Sequence, residues 1–324
     1  MKELTRKKGG SKTEDAGKSP FRTDLVVWMD GELVPWEEAT VHVMSHVMHY
    51  GSSVFEGVRC YRTAQGPAIF RLQEHVRRLF DSARIYRMQL AYSEEEIARA
   101  MRDTVKANGF EACYLRPLVY RGLGTPGVNP LGSPVCTSIV CWDWGAYLGD
   151  HSATSGVDVC VSSWWRMGAN TIPAMAKASA NYMNGQLIKM EAVLNGFSEG
   201  VALDPRGYVC EGSGENIFVV RGGIVRTPPL SASVLPGITR DAIITLLRED
   251  GMEVREEDIP REALYVADEV FFTGTATEIV TIRSVDRIAV ADGNGGPVTR
   301  RAQELFYGVV RGTSDDRHGW LTRV

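Results

Sequence analysis

Lysine is scarce in this chain. Of 36 Lys and Arg residues only eight are lysines, and five of those crowd into the first 18 positions. Beyond that segment only Lys106, Lys177 and Lys189 remain, so chemistry that needs a primary amine has three candidates there. Cysteine is also thin. The six thiols contain no C-x-x-C pair, which removes the usual spacing of zinc ribbons and thioredoxin-like sites. Four of them sit in apolar, strand-like runs and are expected to be buried and free. No apolar run reaches the ~20 residues that a membrane-crossing helix needs. A net charge of −4 gives no electrostatic reason to expect nucleic acid or an anionic membrane as partner. Residues 1–20 lack a signal-peptide apolar stretch and carry Glu3, Glu14 and Asp15, where a transit peptide is poor in acids. They read as a disordered tail on a cytoplasmic protein.

What is present suits a globular protein. The chain has 324 residues, 44% of them hydrophobic, enough for two domains of ordinary size. A short polar stretch, 145–155, is the expected boundary between a smaller domain over 21–144 and a larger one over 156–324. Asp30-Gly31 between two short apolar runs predicts a hairpin. Strands are expected over Val54–Tyr61, 68–70, Tyr114–Tyr120 and Cys136–Trp142. Helical spacing runs from Leu72 to Tyr86, and Ser93 with Glu96 forms a capping box that opens a second helix ending at Asn108-Gly109. In the second half, strands are expected at Val157–Ser163, 200–203, 208–209, 216–220, 224–225, 269–273 and 279–282. A helix is expected from near Pro173 through Lys177 to Asn195-Gly196, and another from Ile238 to about Gly251.

Lys177 stands apart from the other lysines. Lys106 ends an amphipathic helix, and Lys189 lies on the polar later part of its helix. Lys177 is surrounded by Ala174, Met175, Ala176, Ala178, Ser179 and Ala180. Small, mostly apolar neighbours disfavour the charged form of an amine and leave room for a planar ring, the setting of a Schiff-base lysine. A lysine snorkelling from a small-residue helix fits the same local sequence. Two other patterns carry less. Gly122-x-Gly124-x-x-Gly127 matches a dinucleotide fingerprint, but Asn129-Pro130 and Pro134 forbid the helix that must hold the pyrophosphate. His42, His46 and His49 have metal-ligand spacing without a clear helical pattern or an acidic fourth ligand, so a core or polar-network role is expected.

Six motifs settle which company Lys177 keeps. His42-Val-Met-Ser-His-Val-Met-His-Tyr-Gly-Ser-Ser-Val-Phe-Glu-Gly-Val-Arg59, Tyr114-Leu-Arg-Pro117, Asn170-Thr-Ile-Pro173 with Lys177, Glu211-Gly-Ser-Gly-Glu-Asn-Ile-Phe218, Leu235-Pro-Gly-Ile-Thr-Arg240 and Thr273-Gly-Thr-Ala-Thr-Glu278 occur in one order. Together they resemble the branched-chain amino-acid aminotransferases, in their bacterial form, over about Trp28 to Trp320. The resemblance implies an α+β, two-domain enzyme of fold type IV, with a smaller N-terminal α/β domain and a larger C-terminal domain carrying a barrel-like sheet. Its cofactor would be pyridoxal 5'-phosphate, held in the crevice between the domains.

The resemblance also implies roles. Lys177 would carry the cofactor and shuttle a proton. Glu211 would face the pyridine nitrogen, and Tyr182 the ring hydroxyl. Arg78 would pair with the phosphate, joined by the N–H groups of Ile238 and Thr239 behind Leu235-Pro-Gly and by the Thr275 hydroxyl. Tyr50, Phe55, Tyr114, Trp144 and Tyr147 would line an aromatic pocket for an aliphatic side chain. Arg116 would meet the side-chain carboxylate of glutamate in that pocket, helped by Tyr50. Tyr114 and the N–H groups at Thr275-Ala276 would hold the α-carboxylate. The implied reaction is reversible transamination between branched-chain L-amino acids and 2-oxoglutarate, so the partners are small amino acids and 2-oxo acids. A homodimer or a trimer of dimers is implied as well. Relatives acting on D-amino acids or chiral amines share the fold, the lysine and the glutamate but resemble this chain less at 42–59 and 114–117. A pyridoxal-phosphate binder without turnover is a third reading, opposed by the retention of Lys177, Glu211 and Arg116 together. The Gly122–Gly127 loop departs from the family in carrying Pro126.

Overall fold

The computed structural model describes residues 22–145, Leu148 and 156–324. The expectations for the 1–20 tail, for Tyr147 and for most of the 145–155 loop fall outside the described residues.

Two sheets organise the chain. The first uses β1 (Val26–Met29), β2 (Glu32–Pro35), β3 (Ser53–Phe55), β4 (Val58–Thr63), β5 (Gly66–Phe70), β6 (Cys113–Arg121) and β7 (Val135–Trp142). The second uses β8 (Val157–Val161), β9 (Glu199–Leu203), β10 (Val209–Gly212), β11 (Asn216–Arg221), β12 (Ile224–Thr227), β13 (Val254–Glu256), β14 (Glu269–Gly274), β15 (Glu278–Val285) and β16 (Ile288–Ala289). The last strand, β17 (Leu321–Arg323), returns to the first sheet and pairs antiparallel with β5. Neighbours run β17-β5-β4-β6-β7-β1-β2, with β3 also on β6, and β10-β9-β8-β15-β14-β11-β12-β13, with β16 on β15.

The helices are α1 (His46–Tyr50), α2 (Leu72–Ile85), α3 (Glu94–Ala107), α4 (Asn181–Leu194), α5 (Ile238–Glu249) and α6 (Pro297–Val310). On α2 the buried residues Leu72, His75, Val76, Leu79, Ser82 and Ala83 recur three or four apart, so one face enters the core. That core joins α2 and α3 to the first sheet through Leu79, Ile97, Met101, Leu115 and Ile139. A second core packs α5 and α6 on the second sheet and also takes in Phe70 and Trp320. The other main core of that sheet gathers Val159, Val201, Ile217 and Phe272.

Local chemistry explains the elements the sequence predicts. Asp30 and Gly31 both have positive φ, 42° and 104°, as a two-residue hairpin turn requires. Ser93 accepts from Glu96 N and Glu96 accepts from Ser93 N, which completes the capping box. Five of the six cysteines are buried and all are free.

Two expectations are corrected. The run Val54–Tyr61 is two strands, because Pro117 stands opposite Glu56 on β6 and has no N–H to donate. Glu56 N still reaches Pro117 O at 2.9 Å, and the ladder resumes at Val58 in unchanged register. The helix expected from Pro173 begins only at Asn181. Lys177 lies ahead of it in an extended segment held to β3. Phe55 N donates to Lys177 O at 3.0 Å, Ser179 N to Ser53 O at 2.9 Å, and Ala178 bridges Val54. Alanine-rich propensity is worth tenths of a kilocalorie per residue and yields to these bonds.

Ser93→Ala removes one half of the capping box and should cost about 1 kcal/mol of stability. The check is the shift of the urea midpoint, with helix content read by circular dichroism.

Candidate active site

A cavity of about 250 Å³ lies between the two sheets and takes residues from both. The floor is set by β6, whose period of two puts Tyr114 and Arg116 on the same face. Gly57 makes room for the first of these: a Cβ there would stand 1.8 Å from Tyr114 Oη. The Arg116 guanidinium lies over the Phe55 ring at 4.6 Å, the Tyr114 ring at 5.5 Å and the Trp142 ring at 5.6 Å. Trp144 meets Tyr114 edge-on at 4.6 Å. Aromatic faces attract a guanidinium through their ring quadrupoles.

Lys177 enters from its β3-bound segment. Its backbone N–H donates to Ser82 Oγ at 3.0 Å, which ties it to α2. Its Nζ donates to Tyr182 Oη at 2.6 Å and lies 5.1 Å from the Phe55 ring centre. Tyr182 is in the first turn of α4, five residues on.

Glu211 sits on β10, 5% exposed. Arg166 Nη2 lies 2.7 Å from Oε1, while Leu235 N and Asn216 Nδ2 donate to Oε2 at 3.0 and 3.2 Å. Burial pushes this carboxyl above its ordinary value, although Arg166, the Leu235 N–H and Lys177 oppose it. Arg166 is itself fixed by Asn184, which accepts from Nη1 at 2.9 Å.

The opposite end is built from α2 and the start of α5. Gly237 caps α5, whose first N–H groups have no intrahelical acceptor; Ile238 and Thr239 line the cavity there. A Cβ on Gly237 would meet Asn216 Oδ1 at 1.9 Å. His75, Arg78 and Ser82 share one face of α2. Arg78 pairs with Glu56 through Nε at 2.6 Å and Nη2 at 2.8 Å, and Nη1 donates to Pro236 O at 2.7 Å. Glu56 is wholly buried and also receives His75 Nδ1 at 2.8 Å. Burial acts to raise its carboxyl, but Arg78 and His75 outweigh that and hold it well below the ordinary carboxylate value. Burial lowers the His75 imidazole, against the opposing pull of Glu56.

The Thr275-Ala276 turn between β14 and β15 closes the remaining side. Arg59 holds its carbonyls: Nε donates to Thr275 O at 3.0 Å, and Nη2 to Ala276 O at 2.9 Å and Gly145 O at 3.2 Å. Four buried atoms of lining residues, Thr273 Oγ1, Arg116 Nε, Arg166 Nε and Asn181 Oδ1, have no hydrogen-bond partner among the described residues. Orphaned polar groups in a cavity with a part-buried amine, a buried carboxylate and a helix N-terminus fit a polar, phosphorylated ring.

The structure therefore brings together Lys177, Tyr182, Glu211, Arg78, Leu235, Ile238, Thr239, Thr275, Phe55, Tyr114, Arg116, Trp144 and Ala276. Tyr50 is not in this lining: it is 45% exposed on α1, its ring 4.5 Å from His46. His46 belongs to a polar network, with Ser52 Oγ at 2.7 Å and Gly127 O at 2.9 Å. No group of three His, Cys, Asp or Glu among the described residues is placed to hold a metal, and no helix among them is long and apolar enough to cross a membrane. Sequence reasoning missed Arg59, Glu56 and Arg166. The first two lie inside the 42–59 motif; Arg166 follows β8 with no local signal.

The chain is similar to several known proteins. The family model for amino-transferase class IV matches residues 53–285. The branched-chain-amino-acid aminotransferase of Escherichia coli K12 is 51% identical over 299 residues, 92% of this chain and 97% of that protein. The Escherichia coli crystal structure superposes with a TM-score of 0.91 at 50% identity, covering 93% of this chain and 99% of that one. A branched-chain amino acid aminotransferase from Thermobaculum terrenum, solved in its pyridoxal-phosphate form, gives 0.87 at 36% identity, covering 93% and 98%. Another branched-chain amino acid aminotransferase, solved with pyridoxamine 5'-phosphate, gives 0.89 at 45% identity, again covering 93% and 98%. The latter enzyme has also been solved with N-(5'-phosphopyridoxyl)-L-glutamate and with 4-methylvaleric acid, both at a TM-score of 0.88.

Glu56→Gln leaves Arg78 buried without its counter-charge and should cost about 3 kcal/mol. Because the Glu56 carboxyl titrates below its unfolded value, its contribution is full above about pH 4.5 and is lost as the pH falls further. Urea midpoints across that range should fall for the wild type and change less for the variant; parallel profiles would show that the pair contributes nothing.

Proposed function

The chain belongs to the class IV aminotransferases, and from that premise we propose that it moves amino groups between leucine, isoleucine or valine and 2-oxoglutarate. It is a pyridoxal-phosphate enzyme with the α+β fold of that family. The observation that carries the substrate assignment is Arg116 framed by Phe55, Tyr114 and Trp142. Aromatic walls take an aliphatic side chain, and the guanidinium takes the side-chain carboxylate of glutamate in the same space. Apolar walls separate substrates differing by one methylene by only ~1–3 kcal/mol, so all three branched side chains are accepted.

Bound pyridoxal phosphate supplies an electron sink for the pair left at substrate Cα when its proton departs. Lys177 anchors the cofactor and carries the proton between substrate Cα and cofactor C4′. Tyr182, 2.6 Å from Lys177 Nζ, orients the amine and meets the ring hydroxyl. Glu211 holds the proton on the ring nitrogen, whose positive charge restores what burial takes from that carboxylate. Arg166 fixes Glu211 from behind. Arg78, the N–H groups of Ile238 and Thr239, and the Thr275 hydroxyl hold the phosphate; Leu235 contributes through its N–H to Glu211. Tyr114 and the Thr275-Ala276 turn hold the α-carboxylate, with Arg59 keeping the turn's carbonyls away from it. We place Tyr50 and Tyr147 with the substrate pocket, the protein in the cytoplasm, and the working unit as a homodimer or a trimer of dimers. Exposed Val43, Met44, Met48, Leu123, Val128 and Leu131 support the assembly.

Lys177→Ala should lower turnover by at least ~10²-fold and abolish the covalent cofactor linkage, read by borohydride reduction and mass spectrometry. Titration of the holoenzyme with L-leucine should convert its visible spectrum to the pyridoxamine form, and D-leucine should not. Conversion by the D isomer alone would place the enzyme with the relatives that act on D-amino acids. Gly57→Ala displaces the Tyr114 hydroxyl and should raise KM for both substrates about tenfold with cofactor content unchanged.

A further inference from the structure

Glu215 has no part in the reaction described so far, yet it lines the same cavity and is 3% exposed. It follows Glu211 by four residues. Its carboxyl contacts a backbone N–H and a hydroxyl: Gly214 N donates to Oε2 at 3.1 Å, and Thr277 Oγ1 lies 3.3 Å from Oε1. Gly212 leaves the space, since a Cβ there would stand 2.6 Å from Oε2. On the other side its stem packs against Gly274, 3.8 Å from the position of a Cβ on that residue. Gly274 and Thr277 flank Thr275 and Ala276. The carboxyl therefore bridges the loop that follows Glu211 on β10 and the turn assigned to the substrate α-carboxylate.

The charged groups around it do not neutralise it. Glu199 on β9 is wholly buried and repels it, while Lys189 on α4 is 2.9 Å from Glu199 Oε2. Lys177, Tyr182 and Glu211 line the same cavity. Burial first, and then Glu199, pushes the Glu215 carboxyl up to about 8, against weaker opposition from the Gly214 N–H, Lys189 and Thr277.

We propose that Glu215 is a positioning residue that stands protonated in the working enzyme, its acid proton joining Oε1 to Thr277 Oγ1 and setting the Thr275-Ala276 turn for an incoming carboxylate. The inference rests on the proposed function, which gives that turn its ligand. A neutral acid supplies a donor where a second anion would oppose substrate and Glu199 alike. Ionisation removes the donor and adds the charge, so carboxylate affinity falls as pH rises through about 8.

The test uses the holoenzyme and 4-methylvalerate, a branched carboxylate with no amino group to transfer. By calorimetry the wild-type Kd should rise about tenfold between about pH 8 and about pH 9.5. Glu215→Gln, neutral at every pH, should hold a level Kd over that range. Glu199→Gln removes the repelling anion and should move the wild-type rise to lower pH, which keeps the test alive if the first variant folds poorly. Difference infrared spectroscopy near neutral pH should show the carbonyl band of a protonated acid in the wild type that Glu215→Gln lacks. Absence of that band, or a Glu215→Gln Kd that climbs with the wild type, overturns the inference. A band present in a protein that transaminates no branched-chain amino acid supports the proton on Glu215 and overturns the functional reading instead.

Discussion

Removing a carboxylate from water costs several kilocalories per mole unless the protein replaces what water supplied, and Glu56 is placed where that cost falls on two parts of the fold at once. It stands at the break between β3 and β4, opposite Pro117 on β6, with no exposure. Its answer is Arg78, which reaches from α2 with two nitrogens and uses a third on Pro236 O, in the loop that leads into α5. One ion pair thereby fixes where α2 lies against the first sheet and where the α5 entrance lies against α2. Ser82, one turn further along α2, holds the Lys177 backbone. The amine and the helix N-terminus thus take their separation from the same helix face.

Three buried glutamates around the cavity show three outcomes of that cost. Glu56 has a bidentate arginine and stays ionised. Glu211 has Arg166 and two amide donors, and burial still raises it. Glu215 has only a hydroxyl and a backbone N–H, with another carboxylate nearby. Identical side chains diverge because their counter-charges differ.

Much of this is legible in the sequence, but unevenly. Motifs that rest on backbone chemistry carry over well: the Asp30-Gly31 turn, the Ser93–Glu96 box, and the glycine and proline before Ile238. Lys177 is picked out by the poverty of lysine and by its small neighbours. Its helix is expected too early, because a run of small and flexible residues favours helix until β3 offers it a ladder. The helix at Pro297–Val310 is absent from the sequence reading, although proline in the first turn and apolar residues at 298, 302, 305, 306 and 309 mark it. Arg166 has none. Its role comes from meeting Glu211 and Asn184 across elements 45 and 18 residues away, and no local pattern encodes a meeting of that kind.

The pairing of β17 with β5 bears on how the molecule is made. Phe70 waits for Leu321, about 250 residues later in the chain. At ribosomal rates of roughly 5–20 residues per second, β5 is synthesised on the order of ten seconds or more before the strand that covers it. Throughout that interval the first sheet offers a free row of N–H and C=O groups, the kind of edge on which nascent chains join one another. Completion of the first sheet is thus timed by β17, and a chain without Leu321–Arg323 would keep every cavity residue while leaving the β5 edge of its first sheet open.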